Sequence, residues 1–273
     1  MASDYLKYVY PAPLIDDGVP RATDLLQTLW VAVVLIIVRF LADHTVLPLL
    51  KWFLGKYKRA DKASNFFDNM YIVVWSLGTE VLAIYVTLHK NGGCKPWATD
   101  ACLTGWPNHP TNLLQRWYMI LMFQFYLHEM VGSCIGVGTP LKSDMVIHHI
   151  ATMGLVSGAY IINVNRYGIM WQALFDTSNP LLHIAKGLHA LDLPQLEGTK
   201  WAAFASFAAC FFVCRVAAAP FSIIYPAVTR SLGVLPRNWA LSLMALMAVV
   251  CGIQWVWFKR ILEMAAGEGD KKV

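Results

Sequence analysis

Seven long apolar stretches run through the chain and decide what it can fold into. Each approaches the roughly 20 residues that a helix needs to cross the hydrocarbon core of a bilayer. They run from Leu25 to Leu41, Asp68 to Leu88, Leu113 to Gly136, Met145 to Asn163, Tyr167 to Leu188, Trp201 to Val228, and Asn238 to Leu262. Of the 273 residues, 57% are hydrophobic and 14% are charged, against about 25% charged in soluble proteins. The sequence therefore predicts an all-α, polytopic membrane protein with seven transmembrane helices.

The basic residues lie in short clusters beside the apolar stretches. The densest cluster follows the first stretch and contains Lys51, Lys56, Lys58, Arg59 and Lys62. Cytoplasmic loops carry an excess of Lys and Arg, so we predict that this loop and the C-terminus are cytosolic and that the N-terminus is lumenal. The net charge of +5 then reflects topology. Without a long basic stripe or a base-stacking motif, nucleic acid is not expected as a partner.

Two of the six cysteines, Cys94 and Cys102, lie in the longest loop between apolar stretches. The predicted topology places this loop on the lumenal side, where disulfides persist. We therefore predict a disulfide between them, with two free thiols as the alternative. The other four cysteines fall inside apolar stretches and are expected to pack as small apolar residues.

The chain divides into three parts. Asp4, Asp16 and Asp17 precede the first stretch without an early apolar core, so no cleaved signal peptide is expected. Residues 1–64 are predicted to hold an N-terminal tail, an anchoring first helix and a basic cytosolic linker. Residues 65–262 form the main membrane domain, and residues 263–273 form a cytosolic polar tail.

The fourth stretch carries two adjacent histidines. At 100° per residue, one helix face holds Met145, His149, Thr152, Val156, Tyr160 and Asn163. His148 lies one step around the helix. Ionisable residues deep in a membrane cost about 2.5 to 3.5 kcal/mol and indicate function. Because neighbours on a helix point differently, one histidine is free for chemistry while the other hydrogen-bonds to a carboxylate or backbone carbonyl, which fixes its tautomer.

The fifth stretch has a polar stripe on an otherwise apolar helix. Its members follow helical spacing and are Gln172, Asp176, Asn179, His183 and Gly187. Pro180 cannot donate a hydrogen bond to the carbonyl of Asp176, so a break in the helix is expected. Such a break is tolerated at membrane depth where it faces a cavity. The two polar helices are joined by a short turn and are predicted to bring His148, His149 and Asp176 together.

Three interpretations of this cluster are open. In the first, an imidazole is the nucleophile or general base toward an acyl thioester or an amine, and Asp176 orients it. In the second, the cluster binds a metal, but three or four convergent ligands are needed and no metal site is predicted. In the third, the groups only join helices, at about 0.6 to 2 kcal/mol per contact. His128 and Glu129 either line the same cavity or lie near the cytosolic helix end, which we prefer for Glu129.

The segment from Ser143 to Lys186, SDMVIHHIATMGLVSGAYIINVNRYGIMWQALFDTSNPLLHIAK, resembles the signature segment of the TLC-domain family, whose best-known members are ceramide synthases. Further similar positions are Gly105-Trp106-Pro107, Phe125-Tyr126, Arg166 with Gly168, and Cys214-Arg215 followed by Pro220. The resemblance covers about residues 65–262.

The resemblance implies a six-helix barrel behind the anchoring helix, with a lipid cavity open to the bilayer and cytosol, in the endoplasmic reticulum membrane. Ceramide synthases join a fatty acyl group from acyl-CoA to the amine of a sphingoid base. By analogy, His148 and His149 carry the acyl transfer, one of them as an acyl-imidazole, and Asp176 matches the first aspartate of the His-Asp-x-Ser-Asp pattern. Phe175 and Asn179 depart from that pattern.

These considerations set the expected function and its alternatives. We expect ceramide-synthase-like N-acyl transfer, without a cofactor and with acyl-CoA as co-substrate. Membrane lipids and a long-chain amine are the other expected partners, and a homodimer is compatible with the sequence. Substrate contact is assigned to Thr152, Tyr160, Gln172, Asn179, His183 and Arg215. The alternatives are a non-catalytic lipid-binding TLC protein, favoured by Phe175 and Asn179, and a transporter, which would need paired inverted repeats.

Overall fold

The structure, a computed structural model, describes residues 19–267 as helices joined by loops, with no β-strand among these residues. The helices are α1 (Ala22–Gln27), α2 (Leu29–Gly55), α3 (Ala63–His89), α4 (Leu113–Ile135), α5 (Ser143–Ile161), α6 (Asn165–Asp176), α7 (Asn179–Leu191), α8 (Glu197–Phe211), α9 (Tyr225–Val234) and α10 (Arg237–Ala265). The predictions for the first 18 residues and for the end of the polar tail lie outside the described residues. The all-α fold class is confirmed.

Within residues 19–267, four helical segments are long and apolar enough to cross a membrane: Ala22–Gly55, Ala60–His89, Pro194–Val234 and Arg237–Ala265. They contain the first, second, sixth and seventh predicted stretches. The remaining three stretches correspond to α4, α5 and the α6–α7 pair, which carry most of the polar residues of the predicted site. These polar residues lower the hydropathy of their helices, so the count of seven spans stays a prediction.

The short helix α1 closes one end of the bundle. Asp24 is fully buried, and its carboxylate accepts hydrogen bonds from Arg116 at 2.8 Å and from the Tyr160 hydroxyl at 2.7 Å. Gln124 donates to the carbonyl of Leu25 at 2.8 Å. Leu25 itself belongs to the main apolar core. The helix α1 is therefore packed into the bundle by both a buried ion pair and apolar contacts.

The membrane helix α2 is also tied to the bundle, through Arg39. This guanidinium pairs with Asp43 at 3.0 Å and with Asp68 of α3. It also lies over the ring of Tyr71, 4.6 Å from its centroid. A charged side chain is tolerated at a helix interface in a membrane when it is paired in this way. Arg39 thus fixes α2 against α3.

The predicted fifth stretch consists of two helices, as Pro180 indicated. The helix α6 ends at Asp176 and α7 begins at Asn179, with Pro180 in its first turn. Proline fits there because its missing N–H would have no partner inside the helix. The predicted break is confirmed, and it places Asp176 and Asn179 on either side of the gap.

Between α8 and α9 the chain forms π-helical turns over Phe212–Ala218 and Pro220–Ile224. π-Helical turns are rare and are frequently found at functional sites. Arg215 lies in the first of them and is buried, with 8% of its surface exposed. This segment brings a buried guanidinium next to the break between α6 and α7.

The loop of residues 90–112 caps the turn between α5 and α6. Cys94 and Cys102 form a disulfide and are both fully buried. Asn91 donates to the carbonyl of Arg166 at 2.8 Å. Trp106 donates to the carbonyl of Ile162 at 2.7 Å. The loop is therefore held by a covalent bridge and by hydrogen bonds to the turn that joins the two polar helices.

His109 makes this loop sensitive to acid. Its ring is 5% exposed, and among the described residues neither ring nitrogen has a hydrogen-bond partner. Burial, and secondarily the charge of Arg166, lowers the pKa of His109 to about 4 from its usual 6.5. The unfolded chain then binds a proton that the folded chain excludes, so the free energy of unfolding should fall as the pH drops from about 6.5 toward 4. The total is on the order of 3 kcal/mol, at about 1.4 kcal/mol per pKa unit.

Thermal unfolding between pH 7 and pH 4.5 checks this expectation. His109→Gln should flatten the pH dependence, while replacement of the exposed His89 by glutamine should leave it as in the wild type. Equal pH profiles for the wild type and His109→Gln would contradict the assignment.

Candidate functional site

A cavity of about 1180 Å³ runs through the bundle. Its charged rim is formed by Lys142, Asp144, Lys186, Arg260 and Glu263, at the end of the bundle where α5 begins and α10 ends. The rest of the lining combines apolar side chains, among them Trp75, Phe125, Leu155 and Val250, with a smaller set of buried polar ones. Typical small-ligand pockets have volumes of about 300 to 1,000 Å³, so this cavity has room for a ligand with a long apolar chain.

The two adjacent histidines both line this cavity, with ring planes at 88° and ring centroids 5.8 Å apart. His149 is engaged at both nitrogens: Nδ1 lies 2.7 Å from the carbonyl oxygen of Met145, and Nε2 lies 2.7 Å from a carboxylate oxygen of Glu129. With Nδ1–H donating to the carbonyl, either His149 is a cation facing a carboxylate or Glu129 is protonated and donates to Nε2. Both forms fix the ring.

His148 is the free member of the pair. Its Nδ1 is buried, and within residues 19–267 it has no hydrogen-bond partner. The ring makes edge contacts with Tyr126, at 6.4 Å between centroids, and with Trp257, at 5.2 Å. One histidine is thus held sideways by a carboxylate and a carbonyl while its neighbour is available to a ligand, which is the division that the sequence predicted.

The carboxylate beside the histidines is Glu129 rather than Asp176. Asp176 also lines the cavity, but in the described part of the chain its hydrogen bond comes from the Asn179 amide, 3.0 Å away. The expectation that Asp176 orients an imidazole is therefore not met. The gap between α6 and α7 lets Asn179 reach back to Asp176, whereas Glu129 on α4 packs directly against α5.

Glu129 lines the cavity and contacts His149, which is the alternative that we did not prefer for this residue. One feature of the sequence could have indicated this position: Glu129 is an acidic residue inside an apolar stretch. A buried pair of histidines elsewhere in the chain would be stabilised by such a carboxylate.

Arg215 is occupied by the protein itself. Its Nε donates to the carbonyl of Phe175 at 2.6 Å, and its terminal nitrogens donate to the side-chain oxygens of Gln254, at 2.9 Å, and of Asn179. The Phe175 carbonyl lies at the end of α6, where the break removes its helical partner. Arg215 therefore clamps the break and holds Asn179 against Asp176. It lines the cavity without a nitrogen left unbound.

The other residues assigned to substrate contact divide into two groups. Thr152, Gln172 and His183 line the cavity, and in the described residues Oγ1 of Thr152 and Oε1 of Gln172 have no partner. His183 is held by Asn69, with its Nδ1 2.9 Å from the amide oxygen. Tyr160, by contrast, is fully buried outside the cavity and donates to Asp24.

The position of Tyr160 corrects the prediction for that residue. It shares a helix face with His149, but it lies 11 residues farther along, about 16 Å at 1.5 Å per residue. At that depth the space between the helices is filled by α1. Tyr160 is therefore a packing residue of the closed end.

The described residues contain no group of three or more His, Cys, Asp or Glu side chains that could hold a metal ion. The site consists of a free imidazole, an imidazole–carboxylate pair and a second carboxylate held by an amide. Such a site, inside a cavity of a helical bundle with several apolar membrane-length helices, defines a membrane protein with a buried polar centre.

The comparison with known families agrees with this class. The TLC domain sequence profile matches residues 65–263, which is well over half of the chain. The chain therefore belongs to the TLC-domain family, and the resemblance drawn from its histidine segment is confirmed.

Three relatives illustrate the range of similarity. Ceramide synthase 4 of Mus musculus is 29% identical over 136 residues, which cover 50% of this chain and 34% of that protein. Ceramide synthase LOH2 of Arabidopsis thaliana is 26% identical over 204 residues, 70% of this chain and 65% of that protein. Alternaria stem canker resistance protein 1 of Solanum lycopersicum is 25% identical over 281 residues, 92% of this chain and 88% of that protein.

The extent of coverage differs between these relatives. The chain spans only about a third of the mouse ceramide synthase 4 sequence, and 41% of mouse ceramide synthase 5. The tomato protein is matched along most of its length.

Proposed function

We propose that this protein transfers a fatty acyl group from acyl-CoA to the amine of a sphingoid base, in the endoplasmic reticulum membrane, with the N-terminus lumenal and the C-terminus cytosolic. The observation that carries the proposal is the free ring of His148 beside the His149–Glu129 pair, inside a cavity with apolar walls. The names of several relatives, which are ceramide synthases from animals and a plant, support it.

The proposed reaction has two steps. In the first, one ring nitrogen of His148 attacks the thioester carbonyl, the C–S bond breaks, and the CoA thiolate leaves with the proton of the other ring nitrogen, which gives a neutral acyl-imidazole and a thiol. In the second, the amine attacks that carbonyl, the C–N bond of the amide forms, the bond from the carbonyl carbon to the ring nitrogen breaks, and the amine proton passes to the ring, which leaves as neutral imidazole. Nucleophilic catalysis of this kind replaces one difficult step by two easier ones.

The surroundings of His148 suit this chemistry. His149 is held at both nitrogens by the Met145 carbonyl and the Glu129 carboxylate, so the ring beside His148 is a fixed polar wall that does not have to reorganise during the reaction. The apolar walls of the cavity keep bulk water from the acyl-imidazole and so protect it from hydrolysis. Thr152 and Gln172 offer unpaired polar atoms to the substrate.

The second candidate is a TLC protein that binds lipid and alters membrane composition without turnover. It is favoured by Phe175 and Asn179, which depart from the ceramide synthase pattern, and by the hydrogen bond that ties Asp176 to Asn179. This candidate shares the cavity but needs no reactive histidine.

Turnover by the purified protein separates the two candidates. The protein in detergent micelles, supplied with long-chain acyl-CoA and sphinganine, should form the amide product, detected by mass spectrometry, and should carry an acyl adduct before the amine is added. Co-purified lipid together with no product from any sphingoid base, and no adduct by intact mass, would establish the second candidate.

The two carboxylates of the cavity should differ in importance. Glu129→Gln should lower the acyl-transfer rate by about 10²-fold, at the lower end of the 10² to 10⁴ typical for acid–base groups, because His149 loses the charge that orients it. Asp176→Asn should have a smaller effect, since an amide can still pair with Asn179. The initial rates of both variants should be measured with acyl-CoA and sphinganine. A larger loss of rate in Asp176→Asn than in Glu129→Gln would show that Asp176 is the carboxylate that orients the imidazole.

A further inference from the structure

The basic segment after the first membrane helix has no role in the cavity. Lys51, Lys56, Lys58 and Arg59 lie at the end of α2 and just beyond it. In residues 19–267 none of these four side chains has a carboxylate within 4.0 Å, although Lys62 pairs with Asp61 at 3.5 Å. Four uncompensated positive charges are thus concentrated within nine residues of chain.

The segment is held in place by the bundle. Leu54 packs in a small apolar cluster with Ala63 and Leu191. The guanidinium of Arg59 donates to the carbonyl of Asp192 at 2.9 Å. These contacts fix the segment against the end of α7, so its charges are presented by an ordered surface.

A cleft lies between the segment and the turn after α7. Its volume is about 630 Å³, and it is lined by Tyr57, Lys58, Arg59, Leu193, Pro194 and Gln195. Two basic side chains and one phenol thus face an otherwise uncharged turn. A cleft with this lining suits an anion with several oxygen acceptors, such as a phosphate group.

The cleft also lies next to the membrane. Trp52 and Tyr57 are exposed by 66% and 62%, on the continuation of a helix that is long and apolar enough to span the bilayer. Trp and Tyr are enriched where a membrane meets water. The ammonium of Lys56 lies 3.7 Å from the centroid of the Trp52 ring, so charge and aromatic surface are combined at this level.

We propose that this cleft binds the phosphate-bearing head group of an anionic lipid in the adjacent leaflet, with Lys58 and Arg59 contacting the phosphate and Lys56 adding long-range attraction. Basic clusters just outside a membrane helix attract anionic lipids by about 1 kcal/mol per Lys or Arg. The positive-inside rule alone would explain why basic residues follow this membrane helix. It does not explain why they line an ordered cleft. This site is separate from the histidine cavity and does not depend on the proposed acyl transfer.

Native mass spectrometry of the detergent-purified protein tests the proposal, with phosphatidylserine and phosphatidylcholine added separately. The wild type should bind phosphatidylserine in preference to phosphatidylcholine. The triple variant Lys56→Gln/Lys58→Gln/Arg59→Gln should weaken phosphatidylserine binding by about 100-fold, since about 1 kcal/mol per residue corresponds to about 5-fold each.

Two controls make the result decisive. Lys90→Gln/Lys95→Gln/Arg237→Gln removes the same charge elsewhere on the protein and should leave binding unchanged. The double variant Lys56→Gln/Lys58→Gln keeps the Arg59–Asp192 contact and should still lose about 20-fold. The proposal would be overturned if both cleft variants bound phosphatidylserine as the wild type does. It would also be overturned if the Lys90→Gln/Lys95→Gln/Arg237→Gln variant lost as much binding as the cleft variants, or if millimolar inorganic phosphate displaced the lipid fully.

Discussion

Replacing His148 with alanine is expected to abolish amide formation, with a loss of about 10² to 10⁴ in the turnover number, and to remove the acyl adduct from the intact protein. The reason is geometric: within the described chain His148 has a buried ring nitrogen without a partner, whereas both nitrogens of His149 are engaged. The measurement is product formation from acyl-CoA and sphinganine, together with the intact mass after incubation with acyl-CoA alone.

Comparison with other histidines shows whether the loss is specific. His149→Ala should also reduce turnover, but residual adduct should persist because the attacking ring is intact. His44, exposed on α2, hydrogen-bonds to the carbonyl of Phe40 in its own helix, and His44→Ala should behave as the wild type. If His148→Ala keeps its adduct while His149→Ala loses it, the roles of the two rings are reversed.

Removing the carboxylate of Asp24 should destabilise the fold more than any substitution on the surface. Arg116 is 2% exposed, so Asp24→Ala leaves a buried guanidinium without its counter-charge, which typically costs 3 to 5 kcal/mol. The Tyr160 hydroxyl loses its acceptor at the same time. We expect a large drop in the thermal unfolding midpoint of the protein in micelles.

The exposed pair of Asp100 and Arg230 provides the matched control. The side chain of Asp100 is 84% exposed, and exposed ion pairs contribute about 0 to 1 kcal/mol, so Asp100→Ala should leave the midpoint nearly unchanged. The double variant Asp24→Leu/Arg116→Met removes both charges and should recover much of the loss. Equal midpoints for Asp24→Ala and Asp100→Ala would show that α1 is not part of the cooperative unit.

The features that could be predicted from the sequence are those with a local cause. Apolar length indicated helices, and Pro180 indicated the break that separates α6 from α7. His148 and His149 are adjacent on a helix and therefore point in different directions, which is why only one of them was expected to hydrogen-bond sideways. The count of seven spans stays a prediction because the polar residues of α4 to α7 lower the hydropathy of these helices.

The features that were missed depend on how helices pack against one another. The carboxylate beside His149 comes from α4, and no spacing within α5 or α6 identifies it. Tyr160 shares a face with His149, but its hydroxyl donates to Asp24 of α1, a contact between helices that no spacing within α5 indicates. Arg215 was assigned to the ligand, yet the break that it clamps supplies the acceptors for its nitrogens.

The helix α1 fills one end of the bundle through the buried Asp24. The charged rim of the cavity lies at the other end. Under the proposed acyl transfer, a bulky nucleotide carrier such as CoA is expected to arrive and leave by the charged rim, because α1 fills the other end. If the head group of the amine enters by the same rim, the two reactants are expected to bind in turn.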